Sequence, residues 1–158
     1  MNNQRIAIIT DSGTDTDAGF RKEHDIRIMP LRIIYSDGST FSSGVDISSE
    51  EVVRRFGEEI PTTSLPSPHE MREVLGQARN DGYTKAVIVT IASALSATNQ
   101  TAHMVADEME DFPVLVVDSR SIGIAAGMVV RRAVEYVEAG VPFEKLEERK
   151  FVDRKSVV

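Results

Sequence analysis

The chain has 158 residues, a formal net charge of −7 and no cysteine. Its length suits one ordinary domain that buries roughly two-thirds of the surface its unfolded form would expose, so no disulfide or metal staple is needed, and the absence of thiols excludes thiolate metal sites and cysteine nucleophiles. The acidic balance, with Lys and Arg scattered rather than gathered into a stripe, argues against a nucleic-acid partner.

Residues 1–5 run straight into a four-residue apolar stretch, far short of a signal-peptide core or of the ~20 apolar residues of a membrane span. The expectation is an untargeted, unanchored protein of the cytoplasm. Ile6-Ala7-Ile8-Ile9 is a continuous apolar run with polar bounds and no helical period, which predicts a buried strand over residues 5–10. Asp11-Ser12-Gly13-Thr14-Asp15 breaks it, and a short helix over 18–24 should follow, capped by a Thr or an Asp.

Residues 26–34 alternate apolar and basic side chains around Pro30, and Ser36-Asp37-Gly38-Ser39 supplies a tight turn before an extended piece at 40–42, together an edge hairpin. Ser48 or Ser49 caps a helix that carries Val52, Val53 and Phe56 and stops near Gly57, with Glu50 and Glu51 complementing its positive end. Residues 61–68 hold three prolines and read as a stiff, hydroxyl-rich loop without regular structure. Ser67 as N-cap, Pro68 at the first helical position and Glu70 at the third then open a helix that ends before Gly82.

Ala86-Val87-Ile88-Val89-Thr90-Ile91 is a second buried strand, followed by a Ser/Thr-rich turn and a helical segment through Met109. Val114-Leu115-Val116-Val117 is a third, ending in Asp118-Ser119. Residues 121–139 form a helix with Gly140 as its C-cap, and 143–151 begin another. Strands alternating with helices predict a doubly wound, three-layer α/β/α sandwich on a mainly parallel sheet. The chain finishes on apolar residues after Phe151 with no terminator, as if cut short.

Four loops at strand ends or helix starts carry hydroxyls: Asp11-Ser12, Thr62-Thr63-Ser64, Ser93 with Ser96 and Thr98, and Asp118-Ser119. Open α/β sheets bind ligands outside the carboxyl ends of their strands, where helix N-termini aim free donors at an anion, so an acidic small ligand is expected there. Ser48, Ser67, Asp118 and Ser119 read as caps and turn formers; Thr63 and Ser93 exceed what capping requires. His24, His69 and His103 lack ligand spacing and read as solvated helix positions, and no metal or cofactor is expected. No Gly-x-Gly-x-x-Gly or Walker-type loop occurs, and no Ser-His-Asp grouping is visible. An enzymatic alternative is a Mg²⁺-dependent phosphotransferase with Asp11 as nucleophile, although Gly13 stands where a second acidic residue would bind the metal.

Ile9-Thr10-Asp11-Ser12, Pro30-Leu31, Asp37-Gly38, Gly44-Val45-Asp46-Ile47-Ser48, Pro61-Thr62-Thr63-Ser64, Leu95-Ser96-Ala97-Thr98 and Val117-Asp118-Ser119 occur in one order along the chain. In this ordered set, from residue 6 to about residue 150, the chain resembles the DegV family of bacterial fatty-acid-binding proteins, which includes the lipid-carrying subunit of fatty acid kinases. The resemblance implies that Thr63 and Ser93 hold a long-chain fatty acid's carboxylate, with Ser64, Ser96, Asp11 and Ser12 beside them, while the acyl chain lies in an apolar tunnel. It also implies carriage, with the carboxylate presented to a fatty acid kinase that does the chemistry, and no catalytic residue in this chain. Leu65, Ala92 and Ala97 stand where the family's loops have Gln, Ser and Gly.

The family has a second, C-terminal domain that closes the tunnel, so residues 1–158 correspond to its N-terminal α/β domain alone. The apolar wall left uncovered implies self-association. A remnant or interaction domain with purely structural hydroxyl loops is the third alternative.

Overall fold

The computed structural model describes residues 1–149 and 151–152. Strands β1 (Ile6–Asp11), β2 (Arg27–Met29), β6 (Lys85–Thr90) and β7 (Val114–Asp118) form a parallel sheet in the order β2-β1-β6-β7. Between β2 and β6 lie β3 (Arg32–Ile34), β4 (Thr40–Ser42), helix α2 (Ser49–Arg55), β5 (Thr62–Ser64) and α3 (Pro68–Asn80). The remaining helices are α1 (Ala18–Glu23), α4 (Thr98–Asp107), α5 (Gly123–Glu138) and α6 (Phe143–Leu146).

Because side chains alternate along a strand, each apolar run feeds two cores. Ile6, Ile8, Val87, Val89 and Val117 pack against Val129, Val130, Ala133, Val134 and Val137 of α5, with Phe20 of α1 and Leu146 of α6. Ala7, Ile9, Ala86 and Ile88 face the other way, onto Met71, Leu75 and Ala78 of α3 and Ala102 and Val105 of α4. The result is the expected three-layer sandwich. From β1 the chain moves to β2 on one side and later returns to β6 on the other, with α1 and α4 on opposite faces, as right-handed crossovers require. The strand order therefore reverses between β1 and β6.

Helix starts follow the local chemistry. Asp17 accepts from Phe20 N at 2.9 Å, Ser48 from Glu51 N at 3.1 Å, and Ser67 with Glu70 forms a complete reciprocal capping box. Helix α5 begins at Gly123, two residues later than expected, and ends at a C-cap of Ala139; Gly140 follows in the left-handed region at φ +79°.

Three expectations need correction. Residues 61–68 are not wholly irregular: Thr62–Ser64 is β5, paired antiparallel with β3 through Ile33↔Thr63. The prolines at 61, 66 and 68 lie outside those three residues, which keep every donor the ladder needs. Residues 26–34 are not one arm of a hairpin, since Pro30 and Leu31 split them between β2 in the parallel sheet and β3 in a second, antiparallel sheet of order β4-β3-β5. The hairpin itself joins β3 to β4, and its sheet has a small core of Ile33, Tyr35 and Ile47 with Phe41 and Val52. Finally, the helix expected over 143–151 is one turn, Phe143–Leu146, after which Arg149 N reaches back to Leu146 O. The expectation about the end of the chain falls on residues 153–158, outside the described residues. No helix among the described residues is long and apolar enough to cross a membrane.

Candidate functional site

The carboxyl ends of β1, β6 and β7 stop beside one another, and hydrogen bonds stitch their loops into one edge. Asp11, the last residue of β1, is fully buried. Its Oδ1 accepts from Gly13 N at 2.9 Å and its Oδ2 from Ile91 N at 2.8 Å, the first residue past β6. Ala92 N donates to Ser121 O at 2.7 Å and Ser119 N to Thr90 O at 3.1 Å, which ties in the loop after β7. Leu31 N donates to Ser12 Oγ at 3.0 Å, and this anchors the antiparallel sheet to the loop after β1.

Helix α5 starts on the same edge, and its approach needs a glycine. A Cβ at Gly127 would lie 2.7 Å from Thr14 O in the single 3₁₀ turn, Ser12–Thr14, that follows β1. Thr14 in turn is buried and donates its hydroxyl to Asp11 O at 2.9 Å.

Ser93 and Asp118 meet across the β6 and β7 loops. The Ser93 hydroxyl donates to Asp118 Oδ2 at 2.6 Å, while Ser93 N and Arg120 N donate to Oδ1 at 3.2 and 2.8 Å. Partial burial pushes the Asp118 carboxyl up, but these three donors outweigh it and hold the group below the usual carboxylate range. Reading Asp118 only as a turn former overlooked its grip on Ser93. The signal is in the pairing, which places Asp118 opposite Thr90, three residues before Ser93.

Ser96 and Thr98 share a hydrogen bond at 2.8 Å at the start of α4, and Asn99 beneath them donates to the buried Thr90 hydroxyl at 2.9 Å. Thr63 and Ser64 are exposed on β5. Ser64 donates to Leu65 O, and the Thr63 hydroxyl has no hydrogen-bond partner among the described residues, which leaves it open to a ligand. No hydrogen bond joins Thr63 to Ser93.

Two further features define the edge. Leu95, Ile122, Ile124 and Met128 are exposed, 62 %, 55 %, 78 % and 63 % respectively, and the Leu95 turn closes on Ala92, which is bonded to Ser121. These backbone bonds bring the start of α5 to the segment that carries Ser93 and Ser96, so four exposed apolar residues share this edge as a ledge that sequence periodicity could not assign to solvent. Ser12 itself lines a separate groove of about 660 Å³, whose charged lining is Asp15, Asp17, Asp46 and Glu50 against one guanidinium, Arg21. Its charge repels an anionic head group, so the hydroxyl loops rather than this groove suit a carboxylate.

The phosphotransfer geometry is poor. A nucleophilic aspartate needs an accessible oxygen, whereas Asp11 is sealed and both oxygens accept backbone donors. Among the described residues no group of three or more His, Asp or Glu is placed to hold a metal. His24 is less solvated than expected: it packs on Phe20 and its Nδ1 lies 2.6 Å from Glu138 Oε1. His69 and His103 are exposed, as expected.

Residues 5–150 match the family model described as uncharacterised protein, DegV family. The chain belongs to the DegV family. It is 38 % identical over 145 residues to a DegV domain-containing protein of Clostridium perfringens, covering 92 % of this chain and 51 % of that protein. A DegV domain-containing protein of Clostridium acetobutylicum is 36 % identical over 146 residues, with 92 % and 52 % covered. The chain thus spans about half the length of these curated relatives. Among solved structures, a DegV family protein from Thermus thermophilus described by its fatty acid binding superposes with a TM-score of 0.80 at 31 % identity, over 91 % of this chain and 51 % of that one. A stearic-acid-binding protein from Eubacterium ventriosum does so with a TM-score of 0.80 at 25 % identity, over 90 % and 51 %.

Proposed function

We propose that this chain binds a long-chain fatty acid along the carboxyl edge of its parallel sheet and carries it to a partner, such as a fatty acid kinase, without catalysing a reaction itself. The observation that carries the reading is the apolar ledge of Leu95, Ile122, Ile124 and Met128 beside the Ser93 and Ser96 hydroxyls. A ligand with an acyl chain and a small polar head fits such an edge, and the two structural neighbours described as fatty-acid or stearic-acid binding support that class.

The head group takes donors from Thr63 and Ser93, with Ser64 and Ser96 beside them and Ser12 and Asp11 behind, as supports of the loops. Thr63 donates without giving up a protein partner, whereas Ser93 must turn away from Asp118 to reach the ligand. Two hydroxyl donors contribute a few kcal/mol to holding a carboxylate, roughly 1.5–3 each, whereas every buried methylene adds about 0.8 kcal/mol, so for a long acid most of the affinity comes from the chain. In this reading the ledge also serves as the face toward a second protein unit or a second copy of the chain, in the cytoplasm.

Native mass spectrometry of the purified chain tests the proposal. The expected result is a co-purified long-chain fatty acid whose affinity drops at least about tenfold in the Thr63→Ala/Ser93→Ala double variant, the loss of two hydrogen bonds to a charged group. Unchanged acyl binding in that variant overturns the head-group assignment. A chain that neither retains nor takes up fatty acid overturns the carrier reading and leaves an interaction domain.

A further inference from the structure

Asp11 is a buried carboxylate without a counter-ion. It is fully buried, and no ion pair involves it among the described residues. Charged groups from the surrounding elements are engaged elsewhere or remote. Arg27 of β2 is held by Asp81 and Asp25, and Lys85, at the opposite end of β6, by Glu144. Past β7, Asp118 is bound by Ser93 and the Arg120 amide; Asp15 and Asp17, from Asp11's own loop, are exposed. Arg32 of β3 is paired with Glu70, and Arg21 of α1 faces the acidic groove. Neither residues 91–98 nor the first two turns of α5 carry a titratable side chain, and His103 of α4 is exposed.

The two groups that Asp11 does hold belong to different loops. Gly13 N lies in the turn after β1 and Ile91 N opens the segment that carries Ser93 and Ser96, so one carboxylate bridges the point where the strand order reverses. A carboxylate accepts at both oxygens with its full charge; a carboxylic acid carries a hydrogen on one of them, and that hydroxyl oxygen is the poorer acceptor. Protonation from solvent therefore weakens the grip on at least one of the two backbone donors.

We infer that Asp11 is a positioning residue, an ionisable clamp that sets the 91–98 segment for head-group binding while charged and releases it when protonated. The role of the clamp in binding rests on the fatty-acid reading above; the clamp itself does not. Burial pushes the Asp11 carboxyl up to about 6 against the two backbone donors, which brings its transition into the range between pH 5 and pH 7. Ligand binding that needs the charged clamp then weakens by up to about tenfold per pH unit below that transition.

The test has two arms. In the ligand-free, ¹⁵N-labelled wild-type chain, the Gly13 and Ile91 amide resonances should titrate together between pH 5 and pH 8 with one midpoint near 6. Amides that do not titrate there, or that titrate with different midpoints, overturn the clamp whatever the ligand does. In the second arm, oleate affinity is compared at pH 7.5 and 5.5 for wild type and Asp11→Asn, which keeps the shape and removes the ionisation. Wild type should lose about fourfold more affinity than the variant over that interval, as the charged fraction of a group with a midpoint near 6 falls. An equal loss in both, with the amides titrating, overturns the link between clamp and head group. Absence of oleate binding at pH 7.5 with titrating amides instead overturns the carrier reading and leaves the clamp standing.

Discussion

Ser93 donates its hydroxyl to Asp118 at 2.6 Å, so the hydroxyl assigned to a ligand carboxylate is already satisfied by a carboxylate of the protein. An anionic ligand must displace it and then lie close to the charge that it displaces. Asp118 is held below the usual carboxylate range, so it stays charged and the competition persists at neutral pH.

Asp118→Asn should therefore raise fatty-acid affinity. Removing a like charge that shares the Ser93 hydroxyl with the head group, partly screened by solvent, is worth on the order of 1 kcal/mol, or about fivefold. Isothermal titration with a long-chain fatty acid at pH 7.5 measures it. Weaker binding would show that Asp118 orients Ser93 for the ligand instead of competing with it.

The ionisation of Asp11 also sets a sign for stability. Its pKa in the folded chain, about 6, exceeds the ordinary 3.8, so between those values the native state holds more protons than the unfolded one and this group's contribution falls as pH rises. The stability of Asp11→Asn relative to wild type should improve from pH 4 to pH 7, by about 3 kcal/mol at most. Urea unfolding of both proteins across that range reads the difference, and a flat difference excludes a raised pKa.

Gly127→Ala should destabilise the fold by about 1–2 kcal/mol in urea unfolding. The new methyl group would lie 2.7 Å from a backbone oxygen, Thr14 O, so a whole turn must shift, and this exceeds the ~1 kcal/mol that alanine adds to helix propensity. A variant as stable as wild type would show that the turn after β1 yields freely.

The double substitution Ile124→Ser/Met128→Ser should leave stability within about 0.5 kcal/mol, because both side chains already face solvent. The same substitution should reduce self-association in sedimentation velocity and weaken long-chain more than short-chain acid binding. Equal effects on both chain lengths would remove the ledge from the acyl path.

Much of the architecture was legible because its causes are local. Ile6 to Ile9 and Ala86 to Ile91 are apolar on both faces, which only a covered parallel strand tolerates, and Ser67-Pro68 with Glu70 specifies a helix start through bonds within four residues. The positions of the hydroxyl loops at strand ends followed from the same pattern. Where Pro30 would divide a run between two sheets did not, since proline forbids a ladder bond without saying which partner the flanking residues take. Thr62–Ser64 likewise became a strand because β3 offered an open edge beside it.

The site was decided above the level of sequence pattern. Nothing near Asp11 along the chain names Ile91 as its partner, and nothing near Ser93 names Asp118; both pairs exist because β1, β6 and β7 end side by side. Local residues thus determined the central strands β1, β6 and β7, the caps and the inventory of hydroxyls. Tertiary structure alone decided which of those groups are engaged, which face solvent and which carboxylate is buried, because burial and hydrogen-bond partners depend on segments about 25 and 80 residues apart that only the closed sheet brings together.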